Sequence, residues 1–325
     1  MAPPRRRKRY RYRLRRLTPV VVVAAIAGLG GAWAGHVQRS VPSARIASAR
    51  EPAVVGLAPA VQKVVRHQET LLTADNVVTH TFSPALLGKA AIVVDASDGR
   101  VLWQMHAHRH LQVASTTKIM TALLALRALQ PNDLVTVDKS VPRVPLVREG
   151  LRAGEQVPAW KLFYAMLLYS GNDDALALAI AAGGTKWHFV HQMNVEAHIL
   201  GLHDTHFVSP SGVVDVGNYS SAWDLAALTR VALRNDRFRS IVRTKVKHVA
   251  WAAPTYSKIY INNNRLLSSY PGANGVKTGY THKAGPCLVA SATRNGTTLI
   301  AVVLDSPDMY TDAKRLLDLG FASLQ

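Results

Sequence analysis

The chain has 325 residues, 48% of them hydrophobic, 18% charged, and a single cysteine. That length and composition suit a folded protein with a substantial core, and they exclude an intrinsically disordered chain and an intramolecular disulfide framework. The formal net charge is +19, but residues 1–16 hold nine arginines and lysines and no acid, so the remainder carries ten of the nineteen charges. From Leu17 to Gly35 there are nineteen residues without a charge, about 28 Å if helical and close to the ~30 Å hydrocarbon core of a bilayer. A basic flank before such a run stays in the cytoplasm and directs the rest of the chain outside. The arginines therefore read as topogenic charge, and nucleic acid is not expected as a partner. The segment is read either as a retained membrane anchor over 17–35, the favoured alternative, or as a signal peptide cleaved near Ala32-Trp33-Ala34. Residues 36–85 read as a linker, so the expected layout is a 1–16 arm, a 17–35 anchor, the linker and a catalytic domain over 86–325.

The domain opens with a compact apolar strand, Ala90-Ala91-Ile92-Val93-Val94-Asp95. Ser97-Asp98-Gly99-Arg100 supplies turn chemistry and Val101–Met105 returns as a second strand. A strongly apolar helix then begins with Ser115 at its mouth. Further helices are predicted over about 159–168, 173–182, 187–200 and 222–235. Strands return at 275–280, 286–293 and 298–304, the last two joined by the hairpin signal Asn295-Gly296, and a helix over about 311–319 closes the chain. Strands at both ends with helices between imply an α+β architecture. Its antiparallel sheet is closed by strands distant in sequence and carries an inserted helical subdomain. Cys287, inside Cys287-Leu288-Val289-Ala290, reads as a small core residue.

Three short motifs carry chemistry. Ser115 and Lys118 stand three apart, on one face of a helix. Lys118 lies among Ile119, Met120, Ala122 and Leu123, where burial lowers a lysine pKa and leaves an amine able to accept the serine proton. Ser170-Gly171-Asn172 separates two apolar helical runs and could, alone, be an ordinary turn with a helix cap. Lys277-Thr278-Gly279 lies on a strand, where glycine lets a ligand approach the backbone. The second motif comes 55 residues after the first, and the third another 107 residues on. This ordered set resembles the active site of penicillin-binding proteins and active-site-serine β-lactamases.

Over residues 86–321 the chain is similar to one family in particular, the low-molecular-mass D-Ala-D-Ala carboxypeptidases of peptidase family S11. The similarity is carried by Ala114–Ala122, Ser170-Gly171-Asn172-Asp173, Leu200–Phe207, Tyr219–Ala222, Asn262–Leu267, Lys277–Thr281 and Cys287–Ala292. The resemblance implies the transpeptidase-like fold of β-lactamases and penicillin-binding proteins. It implies removal of the terminal D-Ala from peptidoglycan stem peptides through an acyl-enzyme, and acylation by β-lactam antibiotics. By the same resemblance Ser115 is the nucleophile, Lys118 its base, Ser170 a proton relay and Asn172 a positioning group. Lys277 and Thr278 hold the substrate carboxylate, Gly279 gives access, and the backbone N–H groups of Ser115 and Tyr280 take the oxyanion. No cofactor or metal is implied. The His106, His108 and His110 trio lies in a loop-like stretch with no carboxylate at a zinc spacing. Some members of the family carry a carboxylate-binding arginine just before the last helix, but Ser306-Pro307-Asp308-Met309-Tyr310 has none. Three rivals stay open. A class A β-lactamase would normally add a glutamate after the second motif, and none lies between Ala197 and Asn218. The others are a D,D-endopeptidase and a non-catalytic wall-binding or penicillin-sensing protein.

Overall fold

The computed structural model describes residues 71–74, 84–213, 217–251 and 257–324. The expected arm and the 17–35 segment lie outside them, as does nearly all of the 36–85 linker. No helix among the described residues is long and apolar enough to cross a membrane.

A five-stranded antiparallel sheet forms the centre. It is built from β1 (Ala90–Asp95), β2 (Val101–Met105), β7 (Ala273–Thr281), β8 (Gly285–Arg294) and β9 (Thr297–Leu304), in the order β2-β1-β9-β8-β7. The first strand therefore pairs with the last, with Val93 opposite Ala301, and the sheet closes across the whole domain. Strand side chains alternate between faces, and both faces are covered. Ile92, Val94, Val289, Ile300 and Val302 face one core. Val93, Leu288, Ala290, Leu299 and Val303 face a second core beneath the final helix. This is why these strands read as nearly continuous apolar runs. Cys287 is buried in the first core, as its setting predicts.

The inserted helical part comprises α1 (Lys118–Ala128), α2 (Ala159–Tyr164), α3 (Asn172–Gly183), α4 (Lys186–Ile199), α5 (Ala222–Ala232) and α6 (Asp236–Val242). Most of α1 is buried, including Lys118, Ile119, Met120, Ala122 and Leu123, which marks it as the subdomain's central helix. Two small antiparallel pairs were not expected: β3 (Leu134–Thr136) with β4 (Gln156–Pro158), and β5 (Val246–Val249) with β6 (Lys258–Ile261). Strands of three or four residues are too short to leave an alternation in the sequence. A one-turn helix, α7 (Leu266–Ser269), precedes β7, and α8 (Met309–Ala322) packs over the second core through Ala313, Leu316, Leu317 and Phe321. Upstream of the expected domain start, Leu72 is buried and Thr73 bridges Arg100.

Candidate active site

The position of Ser115 is set by an irregular turn rather than by α1 itself. Ala114–Thr117 form one turn of 3-10 helix immediately before Lys118, and Ala114 takes a left-handed φ of 48°. Two neighbours fix this turn from either side. On one side Gly279 of β7 approaches so closely that an added Cβ would lie 2.8 Å from the Val113 carbonyl and 3.1 Å from the Ser115 nitrogen. On the other side a Cβ at Gly212 would fall 2.1 Å from the Ala114 carbonyl. Glycine after Lys277-Thr278 thus seats the strand against the turn that carries Ser115, whereas its sequence position suggested room for a ligand: the space beside Gly279 is taken by the chain's own backbone.

Lys118 lies at the convergence. Its Nζ is 2.8 Å from Ser115 Oγ, 2.8 Å from Asn172 Oδ1 and 3.3 Å from the Ser211 carbonyl oxygen. The amide oxygen and the carbonyl can only accept; the hydroxyl can also donate. An uncharged amine has two N–H donors and one lone pair, so it satisfies all three partners when Ser115 donates to it. Burial, then the nearby positive charge of Lys277, holds the Lys118 amine well below the ordinary lysine range. The opposing pull of Asp174 and Asp173 is weaker. Asp174 is itself fully buried, and burial followed by the neighbouring Asp173 and Glu149 pushes its carboxyl well above the usual range. Both shifts act in the same sense, each favouring the uncharged form of its group.

The second motif comes after a widening of the backbone. The predicted helix over 159–168 is α-helical only through Tyr164; Ala165–Tyr169 form a π turn that ends at Ser170 with a left-handed φ of 75°. Such π turns often occur at functional sites. Ser170 does not cap α3, because Gly171 occupies that position. Asn172, the first residue of α3, reaches Lys118 through Oδ1 and donates through Nδ2 to the Pro145 carbonyl at 3.2 Å. The next residue, Asp173, accepts the backbone N–H groups of Glu149, Gly150 and Leu151 at 2.8 to 3.2 Å, and so ties the loop before β4 to the motif.

These elements enclose a cleft of about 950 Å³. Ser115, Ser170, Asn172, Thr278, Gly279 and Tyr280 line it. Lys118 and Lys277 stand behind its wall, 0% and 1% exposed. Lys277 Nζ donates to the Thr278 carbonyl at 3.0 Å, and burial lowers its pKa to about 7. The structure thus brings all eight residues expected from the sequence to one place, with the two lysines buried rather than presented to the opening. Sequence reasoning missed the Ser211 carbonyl, Gly212, Arg265 and Tyr310, of which the last three line the cleft. Only Arg265, next to the Asn262-Asn263-Asn264 run, left a trace in the motif pattern.

The histidine trio divides. His108 Nδ1 and His110 Nε2 each lie 2.8 Å from one oxygen of Asp204, while His106 is not part of this cluster. Among the described residues no group of three or more possible metal ligands is found.

A serine hydroxyl held against a buried amine of depressed pKa, with a second serine, an asparagine and an open strand edge around it, defines an active-site-serine enzyme. The model of the peptidase S11 family, described as D-alanyl-D-alanine carboxypeptidase, matches residues 77–308, and the chain belongs to that family. It is 35% identical over 267 residues to a D-alanyl-D-alanine carboxypeptidase of Streptomyces sp. strain K15, covering 75% of this chain and 90% of that one. It is 32% identical to the carboxypeptidase DacF of Bacillus subtilis over 73% of this chain, and spans only 63% of that longer protein. The crystal structure of the Streptomyces K15 DD-transpeptidase superposes with a TM-score of 0.70 at 35% identity, covering 74% of this chain and all of that one. The fold is that of the penicillin-binding proteins.

Proposed function

We propose that the protein is a serine-type D-Ala-D-Ala carboxypeptidase that trims peptidoglycan stem pentapeptides and is acylated by penicillins. The observation that carries the reading is the position of Lys118 Nζ, 2.8 Å from both Ser115 Oγ and Asn172 Oδ1. Ser115 attacks the carbonyl of the penultimate D-Ala while Lys118 takes its proton, a step such bases accelerate by roughly 10²–10⁴-fold. The backbone N–H groups of Ser115 and Tyr280 receive the oxyanion; one donor of that kind contributes ~2.7–4 kcal/mol. Ser170 passes a proton to the departing D-Ala amine, Asn172 aligns the substrate amide, and Thr278 together with the field of Lys277 engages the terminal carboxylate. Water then frees Ser115.

Its expected site of action is the outer face of the plasma membrane. That location rests on residues 17–35 acting as an anchor or a cleaved signal, with 36–85 as a tether to the 86–325 domain. The similarity to a D-alanyl-D-alanine endopeptidase of Pseudomonas aeruginosa, 33% identical over 71% of this chain, keeps cross-linked peptides as a second substrate. Mass spectrometry of a stem pentapeptide and of a cross-linked dimer, each incubated with the protein, separates the two. Loss of one alanine from the pentapeptide supports the carboxypeptidase. An intact pentapeptide with a cleaved dimer would replace it by the endopeptidase.

A further inference from the structure

Two cationic side chains on the cleft lining, Arg265 and Lys283, have no part in the proposed chemistry, and Arg265 is the one held in a built setting. Among the described residues no aspartate or glutamate lines the cleft. The Arg265 guanidinium lies over the Tyr310 ring at 5.8 Å from its centre and has no described carboxylate as an ion-pair partner. It is exposed, yet its backbone is firmly set. Asn262 Oδ1 accepts the Asn264 N–H, Asn264 Nδ2 donates to the Gly275 carbonyl of β7 at 2.7 Å, and Asn263 Nδ2 donates to the Tyr169 carbonyl. Tyr310, at the start of α8, donates its hydroxyl to the Asn263 carbonyl at 2.7 Å. The loop bearing Arg265 is therefore fastened to the strand of Thr278, to the turn that delivers Ser170, and to the helix that closes the cleft.

The two buried lysines cannot supply a permanent charge at the opening. Lys277 donates to a main-chain carbonyl, lies behind the wall and has a pKa of about 7. Guanidinium stays charged throughout the range in which such an enzyme works, and its fork matches a carboxylate. The corner of the cleft made by the start of α8 presents Met309 and Tyr310, neither of them cationic. We infer that Arg265, seated on Tyr310, supplies the permanent positive charge that recognises the carboxylate of the substrate and of β-lactams, alongside Thr278 and the titratable Lys277. This rests on the proposed peptidase reading and assigns the specificity-determining cation within it.

The test compares two probes, benzylpenicillin and its methyl ester, which differ in that carboxylate alone. For Arg265→Ala the acylation rate constant k2/K should fall 10- to 100-fold with benzylpenicillin and less than 3-fold with the ester, with Arg265→Lys recovering part of the loss. The discrimination of Arg265→Ala should widen above pH 8, where Lys277 is neutral. Equal losses with both probes, or no loss with benzylpenicillin, would overturn the assignment, as would transfer of the discrimination to Lys283→Ala, the lysine on the cleft lining. If neither probe acylates the wild-type protein, it is the peptidase reading that fails and not the choice of arginine.

Discussion

Lys118 is the residue at which sequence, burial and chemistry meet. A lysine in a helix whose other members are Ile119, Met120 and Leu123 has to enter the core, and a buried lysine has a depressed pKa. On the proposed mechanism the acylation rate should rise with pH as Lys118 loses its proton and fall on the alkaline side as Lys277, at about 7, loses the charge proposed to assist at the substrate carboxylate. A pH profile of k2/K should show both limbs, and Lys277→Gln should flatten the alkaline one. The same lysines have a thermodynamic signature. Their folded pKa values lie below those of the unfolded chain, so the unfolded state binds more protons in the window between, and stability rises with pH there. Chemical denaturation from pH 7 to 10 should show a gain attributable to Lys277. Its slope is at most one proton's worth, about 1.4 kcal/mol per pH unit, and Lys277→Met should lose that dependence.

At the scale of elements, the site depends on two close approaches that only glycine permits. Gly279→Ala would drive a methyl group against the Val113 carbonyl and the Ser115 nitrogen, displacing the Ser115 turn from β7. Penicillin acylation should drop by about 10²-fold, the scale on which ångström misplacements act, with a melting temperature within a few degrees of wild type. Asp173 works differently, since it accepts three backbone N–H groups of the 149–151 loop. Its replacement by alanine leaves those donors without a partner and should cost about 2–4 kcal/mol by urea denaturation, with weaker binding of Asn172 to Lys118 as a consequence. The elements were unequally legible in the sequence. The strand β1, the α1 helix and the β8–β9 hairpin announce themselves by continuous apolar runs and by Asn295-Gly296. The π turn before Ser170 does not, because nothing in Ala165–Tyr169 distinguishes five residues of widened helix from five of ordinary helix. The β3–β4 and β5–β6 pairs escape for want of length.

Across the whole molecule, the pairing of β1 with β9 means that neither end of the domain is dispensable. A chain ending before Thr297 would leave β1 and β8 without the strand between them and the second core without α8; it should fail to give a cooperative thermal transition. The same topology explains why the active site could be assembled from three motifs without knowledge of the fold in detail. Ser115 comes after the first hairpin, Lys277 lies on the edge strand beside it, and the helical insertion returns Ser170 and Asn172 between them. The side chains that touch Ser115 were legible because their types are demanded by the chemistry. The contributions of Ser211 and Gly212 were not, since any residue has a carbonyl and a glycine's close approach to Ala114 leaves no local pattern, and Arg265 showed only as a member of the Asn262–Leu267 stretch, with no role attached. Whether Ser115 is the nucleophile and Lys118 its activator is decided by a fluorescent penicillin added to the purified full-length protein, wild type, Ser115→Ala and Lys118→Ala. A covalent label is expected on the wild type, none on Ser115→Ala, and labelling slowed by at least ~10²-fold on Lys118→Ala; an undiminished label on Ser115→Ala is incompatible with that assignment.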